Sequence, residues 1–273
     1  MLSKVGIDKN PKSTVISSNS HRFLDLDGTD TRGHQVIFPI LKQVKGDSLE
    51  LIGTGFFICS AGLFASAKHV LRDCFDEKGN QKYPVCLLHF LPNNQYLFRH
   101  ILWCSSHPTA DVAIGLAAPS AEVESNGVLM LTTSSPTMGE TVVTYAYPRT
   151  EIKQVGTLEI LNFKPAFYEG RVVDFFPKGR DHCLLPGPCY QTSMVIDGGA
   201  SGGPVVGESG RVFALNSTGW DGVPDISFVS RIEEIFQLGI PFINLPSGQE
   251  VESAIAQDLA NAGWIDVERI AQK

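Results

Sequence analysis

The sequence predicts an all-β protein: two packed six-stranded antiparallel barrels followed by a short helical C-terminal extension. Three observations carry that prediction. The 273 residues include 26 glycines and 16 prolines, which break the chain into many short segments. Between those breaks lie two sets of short apolar runs bounded by Gly, Asn, Asp or Pro. Residues 118–137, rich in Ser, Pro, Glu and Thr, separate the two sets as a crossing linker.

The first set is Val36–Val44, Leu49–Cys59, Leu63–Ser66, Tyr83–Leu91, Tyr96–Trp103 and Val112–Leu116. Pro92, Asn93 and Asn94 supply the turn between the fourth and fifth runs. The second set is Thr141–Tyr147, Thr157–Phe163, Ala166–Phe176, Tyr190–Ile196, Pro204–Gly207, Val212–Ser217 and Asp225–Val229. These runs divide the chain into a polar N-terminal segment (1–30), a first barrel (31–120), a linker (121–137), a second barrel (138–232) and an extension (233–273). The polar segment is expected to be disordered or to lie across a barrel. In the extension, Glu233–Leu238 continues from Ser230 as a helix. Ser247 with Glu250 reads as a capping box that opens a second helix over Val251–Ala262. Its stripe of Val251, Ile255 and Leu259, joined by Ala254 and Ala262 and edged by Asp258, is expected to pack on the body. Docking of a regulatory protein partner on this extension is the alternative.

The formal net charge of −7, with no basic stripe, argues against nucleic acid as a partner. No run of 18 apolar residues appears, so no membrane span is predicted, and Met1–Asp8 lacks the apolar core of a secretory signal. The expectation is a cytoplasmic protein. Its six cysteines, at 59, 74, 86, 104, 183 and 189, are then expected as thiols, although Cys183 and Cys189 flank Leu-Leu-Pro-Gly-Pro and could close a small loop under oxidation. The pairs Cys86/His89 and His100/Cys104 have spacings that look like zinc ligands. On strands, however, Cys86 and His89 point to opposite faces, and His100 lies roughly 13 Å from Cys104 at about 3.3 Å per residue. No metal and no cofactor is expected.

Chemistry enters at residues 198–204, Gly-Gly-Ala-Ser-Gly-Gly-Pro. Acyl transfer needs a hydroxyl that meets a carbonyl carbon while backbone N–H groups meet its oxygen, and glycines permit the tight, unobstructed turn this requires. Ser201 is the candidate nucleophile, and the amides of Gly199 and Ser201, spaced by Ala200, are the candidate oxyanion hole. Upstream, Gly62–Val70 runs as a strand into small residues that present His69. Ala110–Ile114 places Asp111 at the head of an apolar strand. Each motif alone is weak, and an ordinary loop or surface residue explains it as well. Together, in the order His, Asp, Ser, they are specific.

These residues resemble the chymotrypsin-like serine peptidases. The segment Gln191–Pro204 and the run Lys68-His69-Val70 are most similar to the HtrA-type branch. The likeness spans roughly residues 35–235, and the tail beyond Ile232 is too short for the PDZ module that branch usually appends. The resemblance implies that Ser201 attacks the scissile carbonyl, His69 accepts and returns the proton, and Asp111 orients the imidazole. Two departures bear on regulation. Val70 stands where digestive members carry a cysteine, and Ala200 stands where they carry the acid that pairs with a freshly cleaved N-terminus. Activation by zymogen cleavage is therefore not expected.

By the same resemblance, Val195, Ile196, Asn216, Ser217 and Thr218 line the substrate pocket, with strand 216–218 pairing with a polypeptide substrate. Neutral walls favour a small or medium apolar side chain before the cut, unless Asp221 or Asp225 reaches the pocket floor and favours Arg or Lys. The expected activity is serine endopeptidase. A regulated protease with a single target and a protease-fold binding protein inactive at rest are the alternatives, although no member of the expected triad is missing.

Overall fold

In the computed structural model, the described residues are 4–7, 12–13, 33–44, 48–91, 95–155, 158–219, 226–244 and 250–268. Strands β1 (Lys4–Ile7) and β2 (Lys12–Ser13) precede a single turn of helix, α1 (Gly33–Val36). Six strands follow: β3 (Ile37–Gln43), β4 (Leu49–Phe57), β5 (Leu63–Ser66), β6 (Val85–Phe90), β7 (Tyr96–Ser106) and β8 (Ala113–Ala117). They close into an antiparallel barrel in the order β3-β4-β5-β8-β7-β6, sealed where Ile40 pairs with Leu87. A five-residue helix, α2 (Lys68–Arg72), leaves the end of β5. Phenylalanines fill the barrel. Phe38 lies 4.6 Å from Phe57 and 5.5 Å from Phe64 between ring centroids, in tilted and edge-on contacts that aromatic quadrupoles favour.

The second barrel begins after β9 (Leu131–Thr132). It comprises β10 (Thr141–Val155), β11 (Leu158–Phe176), β12 (Cys189–Thr192), β13 (Pro204–Val206), β14 (Val212–Gly219) and β15 (Ser227–Arg231). The ring runs β13-β10-β11-β12-β15-β14 and is closed by pairing of β14 with β13. Two of the expected runs, 157–163 and 166–176, fall from Leu158 onward in one strand, β11. Lys164 and Pro165 do not end it because the ladder slips there, between the pairs Ala146/Ala166 and Arg149/Lys164. A bulge is where a residue without an N–H can sit in a sheet. Of the polar segment, β1 and β2 pair parallel with β11, Lys4 opposite Ile160 and Lys12 opposite Ala166. Aromatic rings join the barrels: Phe90 of β6 stacks on Tyr147 at 5.8 Å, and the Tyr147 hydroxyl donates to Ile37 O.

The extension departs from the expected helices. Ser230 stays in β15, and Ile232–Gln237 forms a 3₁₀ turn. Then β16 (Gly239–Asn244) and β17 (Glu250–Ile255) make a hairpin, and only Ala256–Asn261 is helical, as α3. Ser247, the expected cap, lies outside the described residues. The β-branched Val251 and Ile255 fit a strand as well as a helix, and the neighbouring β16 decides for the strand by offering a full ladder, Val251 opposite Ile243 and Ile255 opposite Gly239. Helix starts where Asp258 Oδ2 accepts the Ile255 N–H at 3.1 Å. Ala256 and Leu259 are buried against the body, and β18 (Val267–Glu268) pairs parallel with β9. Among the described residues, no helix is long and apolar enough to cross a membrane.

One buried group in the first barrel makes stability depend on pH. His89 donates from Nε2 to Gln35 O (3.1 Å) and accepts at Nδ1 from Arg99 Nη1 (3.3 Å). Burial first, and the Arg99 charge second, push its pKa down to about 4. The unfolded chain, with an ordinary histidine, takes up this proton near pH 6.5, before the folded chain does. Stability from this residue is therefore complete above about pH 6.5 and falls by about 3 kcal/mol as the pH drops towards 4. Urea unfolding of the wild type and of His89→Gln at pH 7.5 and 4.5 should show the steeper loss in the wild type. Parallel losses would refute it.

Candidate active site

The local sequence around His69 places it at the start of a helix. Ser66 ends β5, the small buried Ala67 turns the chain, and His69 is the second residue of α2. Asp111 precedes β8, in the loop that returns from β7. Antiparallel pairing of β5 with β8, Ser66 opposite Ala113, brings these two strand ends side by side. The Asp111 carboxylate then receives three donors: the His69 backbone N–H on Oδ1 (3.0 Å), His69 Nδ1 on Oδ2 (2.8 Å), and the Ser217 hydroxyl on Oδ2. A carboxylate only accepts, so it holds the proton on Nδ1 and leaves Nε2 as the acceptor. The ring is 40% exposed, whereas the carboxylate is 11% exposed, so the imidazole edge faces a cleft from a fixed base.

The loop carrying Asp111 is braced from both sides. Lys68 Nζ donates to His107 O (2.7 Å) and Pro108 O (2.9 Å). Ala110 N donates to His107 Nδ1 (2.8 Å), which turns the His107 Nε2–H towards the buried Glu234 in the extension, 3.8 Å away. Glu234 in turn accepts from Arg231 Nη2 at 2.6 Å. None of this support was legible in the sequence.

Ser201 lies on the turn from Asp197 to Gly203. Gly199 has φ +90° and Gly202 φ +85°, values that side-chain-bearing residues rarely adopt. Ala200 N donates to Asp197 O, Gly202 N to Asn216 O, and Gly203 N to Ala200 O. The amides of Gly199 and Ser201 donate to no acceptor among the described residues. The Ser201 hydroxyl donates to Ser217 O at 3.2 Å. Ser217 is the residue at which the β14–β15 ladder slips, between Asn216 and Thr218, and its carbonyl accepts the Ser201 hydroxyl.

His69 and Ser201 line one cavity of about 250 Å³ with Val195, Ile196, Asp197, Gly198, Asn216, Ser217, Thr218, Gly219 and Ile226. All five expected pocket residues are among them. Asn216, however, is 1% exposed and turns its amide inward, donating to Thr144 Oγ1 (2.8 Å) and Ala200 O (3.2 Å), while its backbone is paired with Gly202 and Gly203. Asp197 is an acid that sequence reasoning passed over, and its Oδ2 accepts from Tyr168 Oη at 3.1 Å. Asp221 and Asp225 lie outside the described residues. A second cavity, of about 430 Å³, borders His69 and Asp111, shares Ser217 and Thr218 with the first, and is walled by Cys183, Leu184 and Pro186. Leu184 is 67% exposed there, an apolar side chain offered to solvent beside the cleft. All six cysteines are free thiols. Cys183 is exposed, while Cys189 is buried, which pushes its thiol up to about 11.

A sequence profile described as the trypsin-like peptidase domain matches residues 53–215, a span that contains His69, Asp111 and Ser201. No curated protein matches the chain in sequence. Among solved structures, the chain is similar to the Rv3671c protease from M. tuberculosis in its active form, with 17% identity and a TM-score of 0.52 over 74% of this chain and 78% of that one. It is similar to Deg5, with 15% identity and a TM-score of 0.52 over 73% and 85%. A serine-to-alanine mutant of Rv3671c from M. tuberculosis H37Rv, in its inactive form, gives 19% identity and a TM-score of 0.50 over 74% and 83%. At these identities the likeness is one of fold, and that fold is the pair of barrels described above.

Proposed function

This chain belongs to the trypsin-like peptidase domain family, and from that premise we propose that it is a serine endopeptidase acylated at Ser201. The observation that carries the assignment is the His69–Asp111 pair, bonded at 2.8 Å, opening on the cavity that Ser201 also lines. Ser201 Oγ bonds to the scissile carbonyl carbon while its proton passes to His69 Nε2. The tetrahedral intermediate, its oxygen held by the N–H groups of Gly199 and Ser201, breaks the C–N bond as His69 gives that proton to the leaving amine. A water molecule then repeats the sequence in reverse, losing a proton to His69 and releasing the acid, and Ser201 regains its hydrogen. Asp111 stays ionised throughout and stabilises the imidazolium.

The Ser201 hydroxyl is directed at Ser217 O and makes no hydrogen bond to His69, so acylation requires it to rotate about the Ser201 Cα–Cβ bond into the cavity that both residues line. Hydrogen bonds of this kind are often loose without substrate and tighten in the Michaelis complex. On this reading residues 31–120 and 138–232 form the two barrel units, joined by 121–137, with 233–273 as the extension. The volume of the cavity supports a small or medium residue before the cut, and Val195, Ile196 and Ile226 are the apolar groups that residue would meet in a lining that is otherwise mostly polar.

A fluorophosphonate probe should label the wild type and leave Ser201→Ala unlabelled. Labelling that survives the substitution would put the nucleophile elsewhere. A peptide library read by mass spectrometry tests specificity. Cleavage confined to sites after Arg or Lys would overturn the apolar assignment and point to Asp197.

A further inference from the structure

We propose that Thr54 is the positioning residue that holds the oxyanion hole open from the opposite barrel. This rests on the reading of Ser201 as the acylated residue. Thr54 lies in β4 and is fully buried. Its backbone N–H donates to Ser201 O (2.8 Å), and its hydroxyl donates to Gly199 O (3.0 Å). That hydroxyl has no freedom to turn away. It accepts the Tyr147 N–H at 3.1 Å, so its own proton is left for Gly199. The Thr54 carbonyl is fixed as well, by Ser66 Oγ at 2.7 Å.

The consequence follows from peptide geometry. In a trans peptide the C=O and N–H point in opposite directions. Ala200 O is held by Gly203 N (3.0 Å) and Asn216 Nδ2 (3.2 Å), which aims the Ser201 N–H the other way. Gly199, at φ +90°, has no side chain to restrain it, so its ψ is held by the bonds of the peptide that follows, from the Ala200 N–H to Asp197 O at one end and from a partner in the other barrel to its carbonyl at the other. Thr54 is that partner. It ties down the carbonyls of Gly199 and Ser201, the two residues whose amides make the hole. The nucleophile turn, shaped by bonds within the second barrel, is thus braced by one residue of the first, and barrel docking supports oxyanion binding.

The test compares Thr54→Ser with Thr54→Ala, both of which lose the methyl group while only the second loses the hydroxyl. With the full-length protein and a peptide substrate, Thr54→Ala should lower kcat by about tenfold to a hundredfold, a fraction of what removal of an oxyanion donor costs, with KM little changed. Thr54→Ser should recover most of the rate. Affinity for a peptide aldehyde, whose adduct places an oxyanion in the hole, should fall with kcat, while affinity for the unreactive product peptide should hold. Urea midpoints for both variants separate this from simple loss of fold. Equal kcat in the two variants, or equal loss of aldehyde and product affinity, would overturn the role of Thr54. Failure of Ser201→Ala to abolish labelling would instead overturn the site itself.

Discussion

Asp111→Asn should lower kcat by about 10⁴-fold while the barrels stay folded, the loss that this chemistry shows when its orienting acid becomes an amide. The size follows from the donors around the carboxylate. Asp111 accepts from the His69 backbone, the His69 ring and the Ser217 hydroxyl, and an amide can accept on only one of its two ends. If the amide NH₂ turns to the ring, Nδ1 must become the acceptor and the proton moves to Nε2, the atom that has to receive the Ser201 proton. Imidazolium formed during attack also loses its counter-charge. Stopped-flow kinetics on a peptide ester, with circular dichroism as the fold control, measures both parts. Activity within tenfold of wild type would show that another group orients His69.

Gly202→Ala should destabilise the protein by about 3 kcal/mol or more and remove activity with it. A Cβ at this position would stand 2.2 Å from Thr54 O and 2.3 Å from Ser66 Oγ, and φ is +85°. Neither obstacle can yield cheaply. Thr54 O belongs to a barrel strand, and Ser66 Oγ is bonded to it. The turn must instead lift away from β4, which breaks the Thr54 contacts to Ser201 and Gly199. Gly198→Ala is the control, because nothing lies within 4 Å of a Cβ there, and its unfolding free energy should match wild type within about 0.5 kcal/mol. Comparable urea midpoints for the two variants would show that the turn is not wedged between the barrels.

The candidate residues were visible in the sequence because their local settings are short-range chemistry. A glycine-flanked serine, a histidine after small residues and an acid at a strand head each need only a few neighbours to be noticed. What surrounds them was not visible. The Ser217 hydroxyl on Asp111 spans 106 residues, and the Thr54 hydroxyl on Gly199 spans 145. Ser217 was read as a pocket wall, and it lines the cavity shared by His69 and Ser201, but the ladder slip at this residue has no sequence signature. The extension misled for a related reason. Val251, Ile255 and Leu259 are four apart as on a helix, yet β16 was there to pair with the first two.

From the chain alone came most of the barrel strands, their division into two sets and the three residues worth suspecting. Alternation, β-branching and turn glycines act over a handful of positions and survive without the rest of the molecule. Closure of the barrels decided everything that depends on direction: which atom of Asp111 meets which donor, where the Ser201 hydroxyl points, and that Thr54 reaches across to Gly199. Hydrogen bonds are ångström-scale and angular, and only the packed cores of both barrels hold their partners still enough to define them.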